Sequence, residues 1–390
     1  MRQVHDFLTP TVVQIPPSGI RKFFDLVMQT KGVISLGVGE PDFVTPRHVR
    51  EACYQSLEKG FTNYTSNLGM LELRQEIANY MQQGFNLNYD PETEIVVTVG
   101  VSEAFDLAIR ALVGPGDEVL VPDPSYVAYA PCATLAGGSP VFLATQAQHE
   151  FRLQPEELER KITKHSKVLI LPYPNNPTGG IMGEADLQAL VEVIVKHDLF
   201  VISDEIYGEL TYGQKHISIA TLPGMKERTL VLNGFSKAYA MTGWRVGYAC
   251  GHHDLIYAMN KIHQYTMLCA PIMAQMAAIE ALKNGEKPMR EMIADYNQRR
   301  RIIVDGLAQI GMPCFEPRGA FYCFPSIEVT GMNSEDFCEQ LLKEEKVAVV
   351  PGTAFGPSGE GYVRMCYAAS LDNIATALER MGKFVTRHQK

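Results

Sequence analysis

The chain has 390 residues, 46% hydrophobic and 20% charged, with a formal net charge of −9. That length supports a large core that subdivides, and the negative balance disfavours non-specific nucleic-acid binding. No apolar run reaches membrane-spanning length, and the N-terminal MRQVHDFLTPTVVQIPPSGI lacks the uninterrupted apolar segment of a signal peptide, so neither a membrane nor a nucleic-acid partner is expected.

In chain order, VISLGVGEPDF (33–43) is expected to join the C-terminal part or lie between two domains. EIVVTVG (94–100) reads as a strand and SEAFDLAIRALV as the helix after it. DEVLVP (117–122) is a second strand. KVLILPYP (167–174) is a third, followed by a helix over 184–197. LFVISDEIY (199–207), RTLVLNGFS (228–236) and RVGYACG (245–251) are the fourth, fifth and sixth. The first four are near-continuous apolar strands separated by helical stretches, the mark of a sheet covered on both faces. A mostly parallel α/β domain is therefore expected over residues 46–275. Helical segments around 275–312 lead into GAFYCFPSI (319–327), a helix over 334–345, VAVVPG (347–352), YVRMCYA (362–368) and a last helix. That order predicts a smaller α+β domain, made of 1–45 plus 276–390. The basic run Arg299, Arg300, Arg301 is expected on the solvated face of a helix, since Ile302, Ile303 and Leu307 follow with helical spacing.

The eight cysteines (Cys53, Cys132, Cys250, Cys269, Cys314, Cys323, Cys338 and Cys366) are scattered, with no C-x-x-C pair. That suits reduced thiols in a cytoplasmic protein better than disulfides or zinc. His252 and His253 are the one adjacent histidine pair among ten; no carboxylate cluster is read beside them and no metal site is expected.

In open α/β sheets, ligands bind beyond the carboxyl ends of the strands. After the first strand comes Gly100-Val101-Ser102 opening a helix, where backbone N–H groups favour an anion. After the second come Tyr126 and Tyr129, by default packing aromatics. After the third comes NNPTGG with the Asn176 amide. After the fourth comes Asp204, by default a helix cap, with Tyr207 three residues on. After the fifth come Ser236, Lys237 and then Arg245. Each alone has a plain structural explanation. In NGFSKAYAMTGWRVGY (233–248), however, two cations lie among apolar residues, and burying them is costly unless an anion pairs with them or the amine is consumed. An anion cradle, an aromatic plate, a neutral donor, a carboxylate and a lysine on one edge match the needs of pyridoxal phosphate.

The order G-V-S-E-A, N-N-P-T-G, S-D-E-I-Y, F-S-K and T-G-W-R-V-G resembles class I aminotransferases of pyridoxal-phosphate fold type I, from SLGVGEPDFVTP to YVRMCYAAS. The resemblance implies a large, mostly parallel α/β/α sandwich domain with a smaller α+β domain. It implies that Lys237 carries pyridoxal 5′-phosphate as a Schiff base and, once freed, moves the Cα proton. It implies that Asp204 keeps the pyridine nitrogen protonated, that Asn176 and Tyr207 hydrogen-bond the phenolic oxygen, and that Tyr126 stacks on the ring. Val101, Ser102, Ser236 and Arg245 would hold the phosphate. Tyr64 would reach the neighbouring subunit's phosphate, making the active unit a homodimer with shared sites. Arg364 would grip the substrate α-carboxylate bidentately beside Gly39 and Asn176.

Two positions depart from relatives. Gly234 stands where some have a phosphate-binding hydroxyl, and Ser102 lies where some aspartate-preferring members have a nearby lysine. The expected activity is ping-pong transfer of an amino group between an amino acid and a 2-oxo acid. The texture of SGIRKFFDL, HISIATLPGM and VAVVPGTAFGPSGEGYVR leans toward aromatic or broad-range donors with 2-oxoglutarate as acceptor. Alternatives are N-acetyl-diaminopimelate or aspartate as the amino donor, and a C–S β-lyase on the same scaffold. A non-catalytic regulator is disfavoured, because no fused DNA-binding segment precedes the fold.

Overall fold

A computed structural model describes residues 2–17, 19–20, 27 and 30–389; most of SGIRKFFDL lies outside them. The first strand, β1 (Ile34–Ser35), belongs to a small two-stranded sheet. The apolar runs that follow assemble into one sheet: β2 (Ile95–Thr98), β3 (Glu118–Asp123), β4 (Ser139–Ala144), β5 (Ser166–Leu171), β6 (Phe200–Asp204), β7 (Thr229–Gly234) and β8 (Gly247–Cys250). Their order is β2-β8-β7-β6-β5-β3-β4, with only β8 antiparallel to its neighbours. The fold is thus α/β with a mostly parallel sheet.

Alternation along the strands explains why both faces are covered. Val168 and Ile170 of β5 pack with Ala104, Phe105 and Ala108 of the helix Val101–Leu112. Leu169 and Leu171 point the other way, onto Leu187, Leu190 and Ile194 of the helix Glu184–Lys196. Period-two residues of one strand face opposite sides, so a run apolar at every position can only sit between two layers.

Strand β4 was not anticipated. It lies at the sheet edge, its residues are mostly exposed or half-buried, and Pro140 follows the turn-like Gly137-Gly138. An edge strand tolerates proline, and Pro140 beside Gly137-Gly138 makes the stretch read as a loop despite the apolar run Val141-Phe142-Leu143-Ala144.

The C-terminal part holds β9 (Tyr322–Cys323), β10 (Val347–Ala348), β11 (Val350–Pro351) and β12 (Val363–Cys366). VAVVPG is therefore two strands: β10 pairs in parallel with β1, while β11 joins the antiparallel order β11-β12-β9. The segment 33–43 thus joins this part through β1. Beyond β1, the amide of Cys366 donates to the carbonyl of Leu36 at 2.7 Å, laying the 36–39 loop along β12.

The arginine run departs from expectation. Arg299 and Arg300, on the helix Glu286–Gln309, are only 8% and 5% exposed. Arg299 meets Asp42 at 2.7 Å and Asp295 at 2.6 Å, and Arg300 meets Glu316 at 2.8 Å. Partners distant in sequence offset the desolvation of the guanidinium groups, which helical periodicity cannot reveal; Arg301 alone is solvated. Among the described residues no helix is long and apolar enough to cross a membrane. All eight cysteines are free.

Candidate active site

A tight turn between β2 and the helix Val101–Leu112 builds one wall of a cavity. Gly100 has φ +78°, and a Cβ on it would lie 2.5 Å from Nη2 of Arg245. A Cβ on Gly247 would lie 2.7 Å from the Val101 nitrogen. Glycine at these two positions lets the helix start and Arg245 approach each other. Gly234 pairs with Gly247 across β7 and β8, and a Cβ there would come within 2.9 Å of the Gly247 Cα. Backbone crowding accounts for its lack of a hydroxyl-bearing side chain. Glu103 braces the turn: it accepts from the Val99 amide at 2.5 Å and meets Nδ1 of the buried His263 at 2.7 Å. The first N–H groups of a helix lack intrahelical partners, and its dipole favours an anion there.

Arg245 is exposed, contrary to the expectation from its apolar neighbours. Its backbone is left-handed, φ 54°, and Nη1 donates to the carbonyl of Thr242 at 3.0 Å. It forms an open rim to the anion pocket, where Ser102 and the 9%-exposed Ser236 also lie.

Asp204 ends β6, 7% exposed. Its carboxylate accepts from the Tyr129 hydroxyl at 2.8 Å and from the Ile206 amide at 3.2 Å. The second contact is the expected cap-like turn; the first gives Tyr129 a polar task that a packing aromatic would lack. Burial pushes the carboxyl up to about 6, against the lowering effect of these hydrogen bonds. Tyr126 stands edge-on to Tyr129 at 5.6 Å between ring centroids.

Lys237 is half-buried. Its Nζ donates to the carbonyl of Gly39 at 2.8 Å and lies 5.7 Å from the ring centroids of both Tyr207 and Phe321. Desolvation lowers its pKa to about 8; Cys366 and Glu40 oppose the shift, and Arg364 and Arg245 add to it.

Arg364, on β12, is 2% exposed. Nη2 donates to the carbonyl of Gly37 at 2.6 Å and Nη1 to Oδ1 of Asn176 at 2.9 Å. Its guanidinium sits over Tyr322 and Phe355, at 4.6 and 4.8 Å from the ring centroids. Tyr207 and Tyr322 join hydroxyl to hydroxyl at 2.8 Å.

One cavity of about 410 Å³ collects Gly39, Val101, Ser102, Tyr126, Asn176, Asp204, Tyr207, Ser236, Lys237, Arg245 and Arg364. Tyr64 stands apart, 82% exposed and outside this lining. The lining also includes Tyr129, Tyr322 and Ile20, which the sequence did not single out as site residues. Tyr129 carried a weak signal from its place after β3; Tyr322 lies inside an apolar strand and carried none. Elsewhere, Asp254 joins the half-buried His252 and the exposed His253 in a trio of potential metal ligands, a carboxylate the sequence reading did not count.

These residues fit pyridoxal phosphate on their own terms. Asp204 is a buried carboxylate with only neutral hydrogen-bond donors, so a ring cation would complete it. Lys237 has a carbonyl but no carboxylate within ion-pair distance among the described residues, and an aldehyde would consume its amine. The Nε of Arg364 is buried without a hydrogen-bond partner, leaving capacity for an incoming carboxylate.

The model of the family "Aminotransferase class I and II" matches residues 31–381. A putative aminotransferase of Bacillus subtilis (strain 168), YugH, is 53% identical over 379 residues, covering 97% of this chain and 98% of the relative. An aspartate aminotransferase of Pyrococcus abyssi (strain GE5 / Orsay) is 45% identical, covering 96% and 97%. The crystal structure of an aromatic aminotransferase from Pyrococcus horikoshii OT3 superposes with a TM-score of 0.90 at 44% identity, covering 94% of this chain and 99% of that one. With matches spanning nearly the whole length and a cavity whose chemistry fits the cofactor, the chain belongs to the class I and II aminotransferases and is a pyridoxal-phosphate-dependent enzyme of fold type I.

Proposed function

We propose that this aminotransferase takes aromatic or a broad range of amino acids as donors and 2-oxoglutarate as acceptor. The observation that carries this reading is the cavity's cation inventory. Among the described residues the lining holds Lys237, Arg245 and Arg364 as its lysines and arginines. In this reading all three are engaged: by the cofactor's aldehyde, by its phosphate and by the substrate α-carboxylate. Ser102, itself exposed on the first turn of its helix, brings no further charge for the distal carboxylate of an acidic donor. Relatives named for aspartate and for aromatic amino acids stand at 45% and 44% identity, so overall similarity does not choose between them.

Bound pyridoxal phosphate supplies an aldehyde that takes up the amino group and a ring that accepts the electron pair left at Cα. The chain's residues do the rest. Lys237 would hold the cofactor and, when freed, take the Cα proton and hand it to the carbon that bore the cofactor's aldehyde; a pKa near 8 leaves a useful fraction of neutral amine. Asp204, steadied by Tyr129, balances the ring nitrogen's charge, and Asn176 and Tyr207 donate to the phenolic oxygen. Tyr126 covers the ring. Val101, Ser102, Ser236 and Arg245 hold the phosphate. Arg364 grips the α-carboxylate, with Gly39 and Asn176 alongside.

The same reading makes the active unit a cytoplasmic homodimer in which the exposed Tyr64 reaches the neighbouring subunit's phosphate site. It divides the chain into 46–275 and 1–45 plus 276–390. The test is a single-turnover absorbance screen of amino acids against the loaded enzyme, followed by transfer to 2-oxo acids. Conversion by Tyr, Phe and Trp at least as fast as by Asp is expected. A panel with no transfer from Tyr, Phe, Glu or Asp would sink the reading.

A further inference from the structure

We propose that Tyr322 is a positioning residue whose hydroxyl orients the single proton of Tyr207 into the cavity while its ring backs the guanidinium of Arg364. The proposal rests on the reading above, in which Tyr207 donates to the cofactor's phenolic oxygen.

The two hydroxyls are 2.8 Å apart, and both residues are buried, at 5% and 1% exposure. A phenol has one proton and two acceptor positions, so within the pair either oxygen can donate. When Tyr207 turns its proton toward the cavity, its oxygen is left to accept, and Tyr322 becomes the donor. A hydroxyl that accepts a hydrogen bond is a stronger donor in its turn. Tyr322 thereby strengthens the bond Tyr207 makes to an anionic oxygen.

The surroundings favour that direction. The ionisable groups facing the pair are Arg364 and Cys366 from β12, Tyr126 after β3 and Lys237 after β7. Arg364 is a donor only and cannot take the Tyr322 proton. Gly39 leaves the hydroxyl its place, since a Cβ there would stand 2.6 Å from the Tyr322 oxygen. The ring of Tyr322 lies 4.6 Å beneath the Arg364 guanidinium. One side chain thus serves the cofactor's phenolic oxygen through its hydroxyl and the α-carboxylate site through its ring.

The experiment is a spectrophotometric pH titration of the lysine-bound cofactor without substrate, in wild type, Tyr207→Phe, Tyr322→Phe and the double variant. Tyr207→Phe is expected to raise the midpoint. No rise would remove Tyr207 from the phenolic oxygen and overturn the underlying reading together with this proposal. Given that rise, Tyr322→Phe should raise the midpoint by roughly 0.2 to 0.6 pH unit, the scale of one cooperatively strengthened hydrogen bond. It should add nothing in the Tyr207→Phe background. An unmoved or lowered midpoint, or a full additional shift in the double variant, overturns the relay alone. Tyr322→Leu should match Tyr322→Phe in the titration but also weaken binding of a 2-methyl amino acid, which has no Cα proton to lose, by roughly tenfold, because it removes the ring under Arg364. Equal amino-acid binding by the Leu and Phe variants would overturn the ring's part.

Discussion

The Nζ of Lys237 donates to the carbonyl oxygen of Gly39 at 2.8 Å, a contact spanning 198 positions of the chain. It ties the cofactor-side lysine to the loop that also borders Arg364. A carbonyl and two aromatic rings satisfy an ammonium only in part, and desolvation lowers the pKa to about 8.

That lowering has a kinetic signature in the cofactor-free enzyme. Only the neutral amine attacks an aldehyde, and a lysine shifted down from 10.5 becomes neutral from about pH 8 upward. The rate of recombination with pyridoxal phosphate should rise through pH 8 and level off above it. Stopped-flow absorbance checks this; a midpoint above pH 10 would contradict the shift.

Lys237→Ala should abolish the near-visible absorption of the lysine-bound cofactor and slow single-turnover transamination by about 10³-fold or more. Substantial remaining transfer would remove Lys237 from its assigned role.

Asp204→Asn should separate stability from function. A carboxyl raised from 3.8 to about 6 stabilises the fold fully below about pH 4, and that contribution is lost as pH rises through 6. Above pH 6 the cofactor-free wild type therefore carries a desolvated charge costing on the order of 1 to 3 kcal/mol. The cofactor-free variant should be more stable than wild type at pH 7.5, with the gain vanishing toward pH 4. With cofactor, its turnover should fall. Urea denaturation at several pH values, and a variant less stable than wild type at pH 7.5, would decide against this account.

Arg364→Lys keeps the charge but loses the planar fork that meets Gly37 and Asn176. It should lower kcat/KM for amino acids by about 10²-fold while leaving the cofactor's affinity near wild type. Steady-state kinetics beside a cofactor titration measure both, and parallel losses would indicate a general structural collapse instead.

Tyr64→Ala should weaken cofactor binding by about tenfold while light scattering still reports twice the chain mass. Tyr64 is 82% exposed in the single chain, so unchanged affinity would mean that no neighbouring subunit uses it.

Much of the sheet was legible because β2, β3, β5, β6 and β7 each carry an unbroken run of three or four apolar residues and are followed by turn residues. Strand β4 was not, because Gly137, Gly138 and Pro140 at its start read as a turn, although Val141, Phe142, Leu143 and Ala144 are apolar. Tyr322 was hidden for the opposite reason: it lies among Phe321, Cys323 and Phe324, where an aromatic residue reads as packing. The burial of Arg299 and Arg300 was likewise invisible, since their carboxylates come from Asp42 and Glu316 outside the helix.

The sequence by itself determined most of the strands and helices of the central sheet, and the order in which Gly100, Asn176, Asp204, Lys237 and Arg245 follow them. Those are local properties, set by side-chain periodicity and by which residue ends each strand. Tertiary structure alone decided that Tyr129 steadies Asp204 across 75 positions, that Tyr322 meets Tyr207 across 115 and that Arg364 reaches Gly37 across 327. The first pair forms when β6 and the segment after β3 meet at one sheet edge, the other two only when the C-terminal strands pack onto it, because each group needs a partner once water is excluded, and spacing along the chain does not say which partner arrives.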